Sequence, residues 1–201
     1  MVSRASPVAR RPIARAALVA CTALVACTAL SACGSTPTSG PTPEATGGGG
    51  TVAGTLAPDF TARDIAGNTF RLSDHLGKEV VLLDFWATFC EPCKAEFPHL
   101  GTMYKVERSK GLLVVGVAMD GPETVADVPA FVKRFDVPFP VVTDDDSRIA
   151  SLYDPRRSMP LSVLVDRGGR IVAVREGYAP GDETLLEADV DKALAAAPPE
   201  P

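Results

Sequence analysis

Two cysteines two residues apart, Cys90 and Cys93, are the side chains best placed to do chemistry. They lie in FWATFCEPCKAEFP, Phe85 to Pro98. Such a pair can be half of a zinc site, a structural disulfide or a redox centre. Zinc needs two further ligands. The chain has five cysteines and two histidines; three of the cysteines fall in an N-terminal export segment, and His75 and His99 do not stand at zinc-finger spacing from the pair. The choice between staple and redox centre turns on what surrounds the cysteines. Val80 to Ala87 is an apolar run with one acid, which reads as a buried strand, and a helix is predicted from Glu91 to about Ser109. Cys90 therefore stands where a helix begins. Unpaired N–H groups and the helix dipole stabilise a thiolate there. Cys90 is expected to be the exposed nucleophile. Cys93, one turn inside, is expected to be the buried thiol that resolves a mixed disulfide. A bridge across so short a loop constrains the unfolded chain little, which weighs against a mere staple.

Three acids stand close by in sequence. Glu91 sits between the cysteines, where its charge disfavours the Cys90 thiolate and makes the couple a stronger reductant. Pro92 falls in the first helical turn, where a missing N–H costs little. Glu96 follows Cys93 by three residues and so neighbours it on the helix surface. Asp84 is the one ionisable group in Val80 to Ala87, and an acid in a buried strand costs several kcal/mol unless it is paired or protonated. Trp86 is expected to pack beside the cysteines. Lys94 offsets the charge of Glu91, and His75 and His99 are assigned no role.

The elements that position these residues follow from apolar periodicity. Phe60 to Asp64 and Asn68 to Leu72 form a short hairpin, and Leu112 to Ala118 is a second buried strand. Pro122 to Phe135 carries Val125, Val128, Phe131, Val132 and Phe135 at helical spacing. Pro140 to Thr143 is a short strand, and Asp146 to Tyr153 a short helix. Leu161 to Asp166 and Arg170 to Arg175 pair around Gly168-Gly169, and Asp182 caps a last helix to Ala196. Pro98 is expected to kink the helix that carries it. The order implies an α/β fold with a central mixed sheet and helices on both faces.

The first 32 residues are a different object. Arg4, Arg10, Arg11 and Arg15 precede a run of small apolar residues, Ala16 to Ala32, which reads as a signal peptide. Leu30-Ser31-Ala32-Cys33 resembles a bacterial lipobox, with Cys33 as the lipidated residue and Cys27 as the runner-up in a near-repeated segment. Residues 33–54 then form the lipidated N-terminus and a flexible Gly-, Ser-, Thr- and Pro-rich linker reaching about 25 Å. Residues 55–197 are the folded domain. Net charge is −5, and loss of the signal removes four arginines more, so nucleic acid is excluded as a partner.

Asp84-Phe85-Trp86-Ala87 before Cys90-Glu91-Pro92-Cys93-Lys94 resembles a thioredoxin active site. CEPCKAEFP, with the VVGVAMD and FPVVTD strands after it, resembles the TlpA/ResA-like family of membrane-tethered, extracytoplasmic thiol-disulfide reductases, over about Ala57 to Tyr178. The resemblance implies a thioredoxin-like fold with an N-terminal hairpin and a TlpA-type helix insertion before Pro140. It implies that Met159-Pro160 is the cis-proline loop that packs on the cysteines and binds substrate backbone. It implies that the acid of the EFP motif, Glu96, modulates proton transfer to and from the cysteines, as the matching Asp84 does in thioredoxins, so two candidates stand for the acceptor of the Cys93 proton. Phe89 stands where the family usually has Trp. Further implications are a redox-active Cys90–Cys93 disulfide with no other cofactor, disulfide-bearing protein substrates such as apocytochrome c, a membrane thiol electron donor, and a lipid-anchored monomer outside the cytoplasm.

Two rival functions share the fold. A peroxidase of the peroxiredoxin type needs Pro and Thr or Ser at set positions before its cysteine; here Leu83 and Ala87 stand there. A copper-site assembly or binding module favours Cys-x-x-x-Cys with a distant His; the shorter spacing here argues against it, and a thiol reductase that prepares a copper site stays open as an alternative.

Overall fold

A computed structural model gives the fold and describes residues 51–197. The expected signal peptide, the lipobox cysteine Cys33 and most of the linker lie outside the described residues. Within them the chain runs β1 (Thr61–Arg63), β2 (Thr69–Arg71), β3 (Val80–Trp86), α1 (Glu91–Glu107), β4 (Leu112–Ala118), α2 (Val128–Arg134), β5 (Val141–Thr143), α3 (Arg148–Tyr153), β6 (Leu161–Val165), β7 (Ile171–Glu176) and α4 (Glu183–Ala195). Five strands form one mixed sheet in the order β5-β4-β3-β6-β7. β4 pairs parallel with both β3 and β5, while β6 pairs antiparallel with β3 and with β7.

The central strands are apolar on both faces because both are covered. Alternation sends Val80, Leu82 and Trp86 to one core, with Phe97, Leu100 and Met103 of α1, Phe131 of α2 and Leu186 and Val190 of α4. It sends Val81, Leu83 and Phe85 to the other, with Phe60, Phe70 and the α3 residues Ile149 and Tyr153. Both edges of the sheet are partly covered. Ile65 donates its N–H to Val141 O at 3.0 Å beyond β5, and Gly54 N donates to Ile171 O at 2.7 Å beyond β7. The Thr51 hydroxyl also bonds Tyr153 O, so the chain already lies along the domain before Leu56.

Three local expectations are corrected. The helix read from Pro122 starts only at Val128, after a 3-10 turn over Val125–Asp127. Pro129 accounts for this: it has no N–H to give to a carbonyl one turn earlier, so it sits in a first turn, behind a helical Val128 (φ −56°, ψ −47°), rather than mid-helix. α3 begins at Arg148, and its free N–H groups at Ile149 and Ala150 are met by the Asp144 carboxylate at 2.9 and 2.7 Å. Asp182 precedes α4 but does not cap it; its carboxylate accepts the Ala179 N–H at 2.8 Å. α1 runs from Glu91 to Glu107 as one helix through Pro98.

Trp86 holds the first core together near the cysteines. Its ring meets Phe97 edge-on at 4.8 Å and Phe131 at 4.6 Å. Gly116, on the neighbouring strand, makes room for it. A Cβ there would lie 3.0 Å from the Trp86 indole nitrogen and 3.3 Å from Val141. Gly116→Ala should therefore destabilise the protein by about 1–3 kcal/mol, read as a lower urea midpoint with an unchanged slope.

Candidate active site

The site begins where β3 ends. The last register pair of β3 and β4 is Trp86 with Ala118, and Met119 donates its N–H to Trp86 O at 2.7 Å. The chain then turns over Ala87 to Cys90, closed by a bond from Cys90 N to Ala87 O at 3.0 Å. This turn delivers Cys90 to the N-cap of α1 in an extended conformation, φ −82° and ψ 104°. Cap positions favour an oxygen acceptor. Here the acceptor is sulfur: Cys93 donates its backbone N–H to Cys90 Sγ at 3.2 Å. Cys90 and Cys93 are joined in a disulfide, S–S 1.95 Å and Cα–Cα 5.3 Å. Pro92 lies in the first turn of α1. Cys90, expected as the exposed member, retains only 7% of its surface against 2% for Cys93. It is the more exposed residue of the two, but it lies in the same buried cluster as Trp86 and Cys93. Phe89, just before it, is exposed.

Glu91 is exposed and ion-paired with Lys94, Nζ–Oε1 2.5 Å. The pair carries no net charge and faces solvent, so its leverage on Cys90 is weaker than the sequence suggests.

Two other carboxyls are buried on the α1 side of the sheet. Asp84 shares that face of β3 with Leu82 and Trp86, and its Oδ1 has no hydrogen-bond partner. Burial pushes its pKa well above the usual carboxylate range, and the nearby charge of Glu96 pushes the same way. Glu96 keeps 5% of its surface. Burial raises its pKa to about 7, a hydrogen bond from Ser162 pulls it down, and the charge of Asp182 raises it again. Ser162 Oγ donates to Glu96 Oε1 at 3.4 Å, and Glu96 Oε2 has no partner. Ser162 is also the residue directly across from Asp84 in the β3–β6 pairing. Asp84, Glu96 and Ser162 thus form one buried polar group on the core that holds Cys93. Two carboxyls so close do not both ionise readily, so they hold a proton between them near neutral pH. Glu96 alone of the three lines a cavity of about 210 Å³ between α1, α4 and the end of β7, which gives its proton a way to solvent.

The Met159–Pro160 bond is cis. β6 pairs with β3 through Phe85 and Leu161, so Pro160 falls opposite Trp86, at the end of the sheet that carries the cysteines. Its carbonyl accepts the Gly177 N–H at 2.7 Å. The fold therefore gathers Cys90, Cys93, Asp84, Glu96, Trp86, Met159 and Pro160 at one end of the sheet. Among the described residues no group of three or more His, Cys, Asp and Glu side chains could hold a metal ion. Sequence reasoning missed Ser162, whose one signal was a lone polar residue in the apolar run LSVLV. It also missed Asp120, a fully buried acid bonded to Thr88 in the turn before Cys90.

Residues 53–174 match the AhpC/TSA family. The chain is 31% identical over 146 residues to the thiol-disulfide oxidoreductase ResA of Geobacillus kaustophilus, covering 73% of this chain and 78% of the relative. It is 40% identical over 124 residues to ResA of Bacillus subtilis, covering 62% and 67%. Among solved structures, a putative thiol:disulfide interchange protein DsbE from Chlorobium tepidum superposes with a TM-score of 0.67 at 34% identity, covering 72% of this chain and 99% of that one.

Proposed function

The chain belongs to the AhpC/TSA family and, with the ResA-like proteins, to its thiol-disulfide oxidoreductases, and we propose that it reduces protein disulfides outside the cytoplasmic membrane. The observation that carries this reading is the Cys90–Cys93 bridge at the start of α1, with a backbone N–H on the Cys90 sulfur.

In the reaction, the Cys90 thiolate attacks one sulfur of a substrate disulfide. The substrate S–S bond breaks, a Cys90–substrate bond forms, and the departing sulfur takes a proton. Cys93 passes its proton to the Asp84/Glu96 pair and attacks Cys90 Sγ. The mixed disulfide breaks, the Cys90–Cys93 bond forms, and the second substrate sulfur leaves and is protonated. Two electrons and two protons have moved to the substrate. The bridged enzyme is the spent form, and a thiol donor of the membrane returns it to the dithiol. Buried carboxyls near Cys93 disfavour a thiolate there, which lowers the potential of the couple and favours the reducing direction. The family resemblance suggests Cys-x-x-Cys-His segments of apocytochrome c as substrates. Residues 1–33 supply export and a lipid anchor at Cys33, and the domain works as a monomer. No described helix is long and apolar enough to cross a membrane.

The AhpC/TSA match brings peroxide chemistry into question. The positions that would furnish its oxygen-activating pocket hold Leu83 and Ala87, both fully buried and without a hydroxyl. Peroxide consumption by the reduced protein should therefore be no faster than by a free dithiol. The deciding experiment for the reductase reading uses Cys93→Ala, which cannot resolve its mixed disulfides. It should accumulate on partner proteins as adducts released by dithiothreitol. Absence of any adduct would sink the reading. A reduction potential near the roughly −120 mV of a disulfide-forming enzyme would reverse the direction.

A further inference from the structure

Among the described residues, Asp120 is the most buried acid that the exchange reaction does not use, with no exposed surface at all. It lies two residues past the end of β4, and both of its carboxylate oxygens are taken by one residue. Oδ2 accepts the Thr88 backbone N–H at 2.9 Å, and Oδ1 accepts the Thr88 hydroxyl. Thr88 is one of the two central residues of the turn from Ala87 to Cys90. The other, Phe89, is exposed. Beyond Trp86 the β3–β4 ladder has ended, so no strand holds the turn in place. The Asp120–Thr88 pair takes over that task across 32 residues of chain.

A buried carboxylate is costly unless charge-assisted hydrogen bonds offset its desolvation. An apolar residue would end β4 at lower cost but would leave the Thr88 N–H without a partner. Nor does Asp120 cap a helix or pair with a cation among the described residues. Its two bonds fix the Thr88 backbone and side chain together. That leaves the turn one way to present Cys90 to the first N–H groups of α1.

We propose that Asp120 is a positioning residue for the nucleophile: through Thr88 it clamps the turn that holds Cys90 Sγ against the Cys93 N–H. This rests on Cys90 being the attacking thiol. The Cys93 N–H lies 3.2 Å from Cys90 Sγ in the bridged form; once the bridge is reduced only the turn keeps that sulfur at the donor, and the bond weakens steeply as the turn loosens. Without the clamp the reduced protein loses part of its thiolate stabilisation, and the couple becomes more reducing.

The test follows alkylation of the reduced full chain by iodoacetamide against pH, with the reduction potential measured alongside. Asp120→Ala removes both bonds, and Thr88→Val removes the hydroxyl bond while leaving the N–H bond and the charge. Asp120→Asn keeps an acceptor for the N–H and a donor for the hydroxyl but removes the charge. Asp120→Ala should alkylate at Cys90 roughly tenfold more slowly at pH 7, with its midpoint moved to higher pH and its potential more negative. Thr88→Val should shift the same way by roughly threefold. Thr88→Ser and Asp120→Asn should recover most of the wild-type profile. If Asp120→Ala does not fold, Thr88→Val decides. Wild-type profiles in the folded clamp variants, with Cys90 still the fast thiol, overturn the inference and leave the reductase reading standing. Equal effects of Asp120→Asn and Asp120→Ala also overturn it, since charge and not the clamp is then at work. A fast thiol at Cys93 in the wild type overturns the inference and the assignment of Cys90 as the attacking thiol, and leaves the reductase reading standing with the two roles exchanged.

Discussion

Cys90→Ala should lose turnover of protein disulfides by a thousandfold or more, on the order expected when a covalent nucleophile is removed. Cys93→Ala should lose turnover too, but keep a single round of attack. The asymmetry comes from the start of α1. Cys90 occupies the N-cap, and the Cys93 N–H points at its sulfur, so a negative charge on Cys90 gains a donor and the positive end of the helix dipole. Cys93 lies a turn further in, at 2% exposure, on the face shared with Asp84 and Glu96, where a second negative charge is disfavoured. Geometry and charge thus favour the same sulfur for the first step. Reduced insulin chains precipitate, so turbidity reports turnover, and mass spectrometry counts adducts. Cys93→Ala should yield up to one mixed disulfide per molecule and Cys90→Ala none. Adducts formed by Cys90→Ala alone would exchange the roles of the two cysteines.

The cysteine pair and its setting were legible in the sequence because they depend on neighbours along the chain. An apolar run, a Cys-x-x-Cys and a helix start are local facts, and β3, β4 and α1 fall close to the residues that periodicity marks. Asp84 was visible for a similar reason: one acid among seven apolar residues breaks a pattern. What could not be read depends on strand register. Ser162 meets Glu96 because β6 pairs with β3 so as to set residue 162 against residue 84. Asp120 reaches Thr88 because β4 lies parallel to β3, which brings both strand ends to the same edge of the site. Apolar spacing alone also overran α2, since it does not register the backbone cost of Pro129. The offset of Glu91 by Lys94 was legible too, because both lie within one turn of the same helix, and the structure pairs them in solvent.

Glu96→Gln should make the protein more stable at pH 8 while slowing its chemistry. Burial raises the folded Glu96 carboxyl to about 7, from an ordinary glutamate value of 4.5. Between those values the folded protein holds a proton that the unfolded chain has lost. Stability therefore falls as pH rises through this window, and is lowest above it. A shift of that size corresponds to about 3 kcal/mol. Asp84, raised in the same direction and by the same cause, adds to the slope rather than opposing it. Glutamine keeps an oxygen for the Ser162 hydroxyl and never ionises, so it should remove the Glu96 part of the penalty. Urea unfolding at pH 5 and pH 8 should show wild type losing stability between the two. The difference between wild type and Glu96→Gln isolates this carboxyl from the groups that both proteins retain. Equal stability of the two proteins at pH 8 would remove the case for a buried, late-ionising Glu96. The same substitution takes away the group that exchanges a proton with the solvent-lined cavity, leaving Asp84 behind it with no direct route. Resolution of the mixed disulfide should then slow by about a hundredfold, the low end for loss of a positioned base. A more stable enzyme that resolves its intermediate more slowly is what a carboxyl kept for proton transfer, at some cost to the fold, would produce.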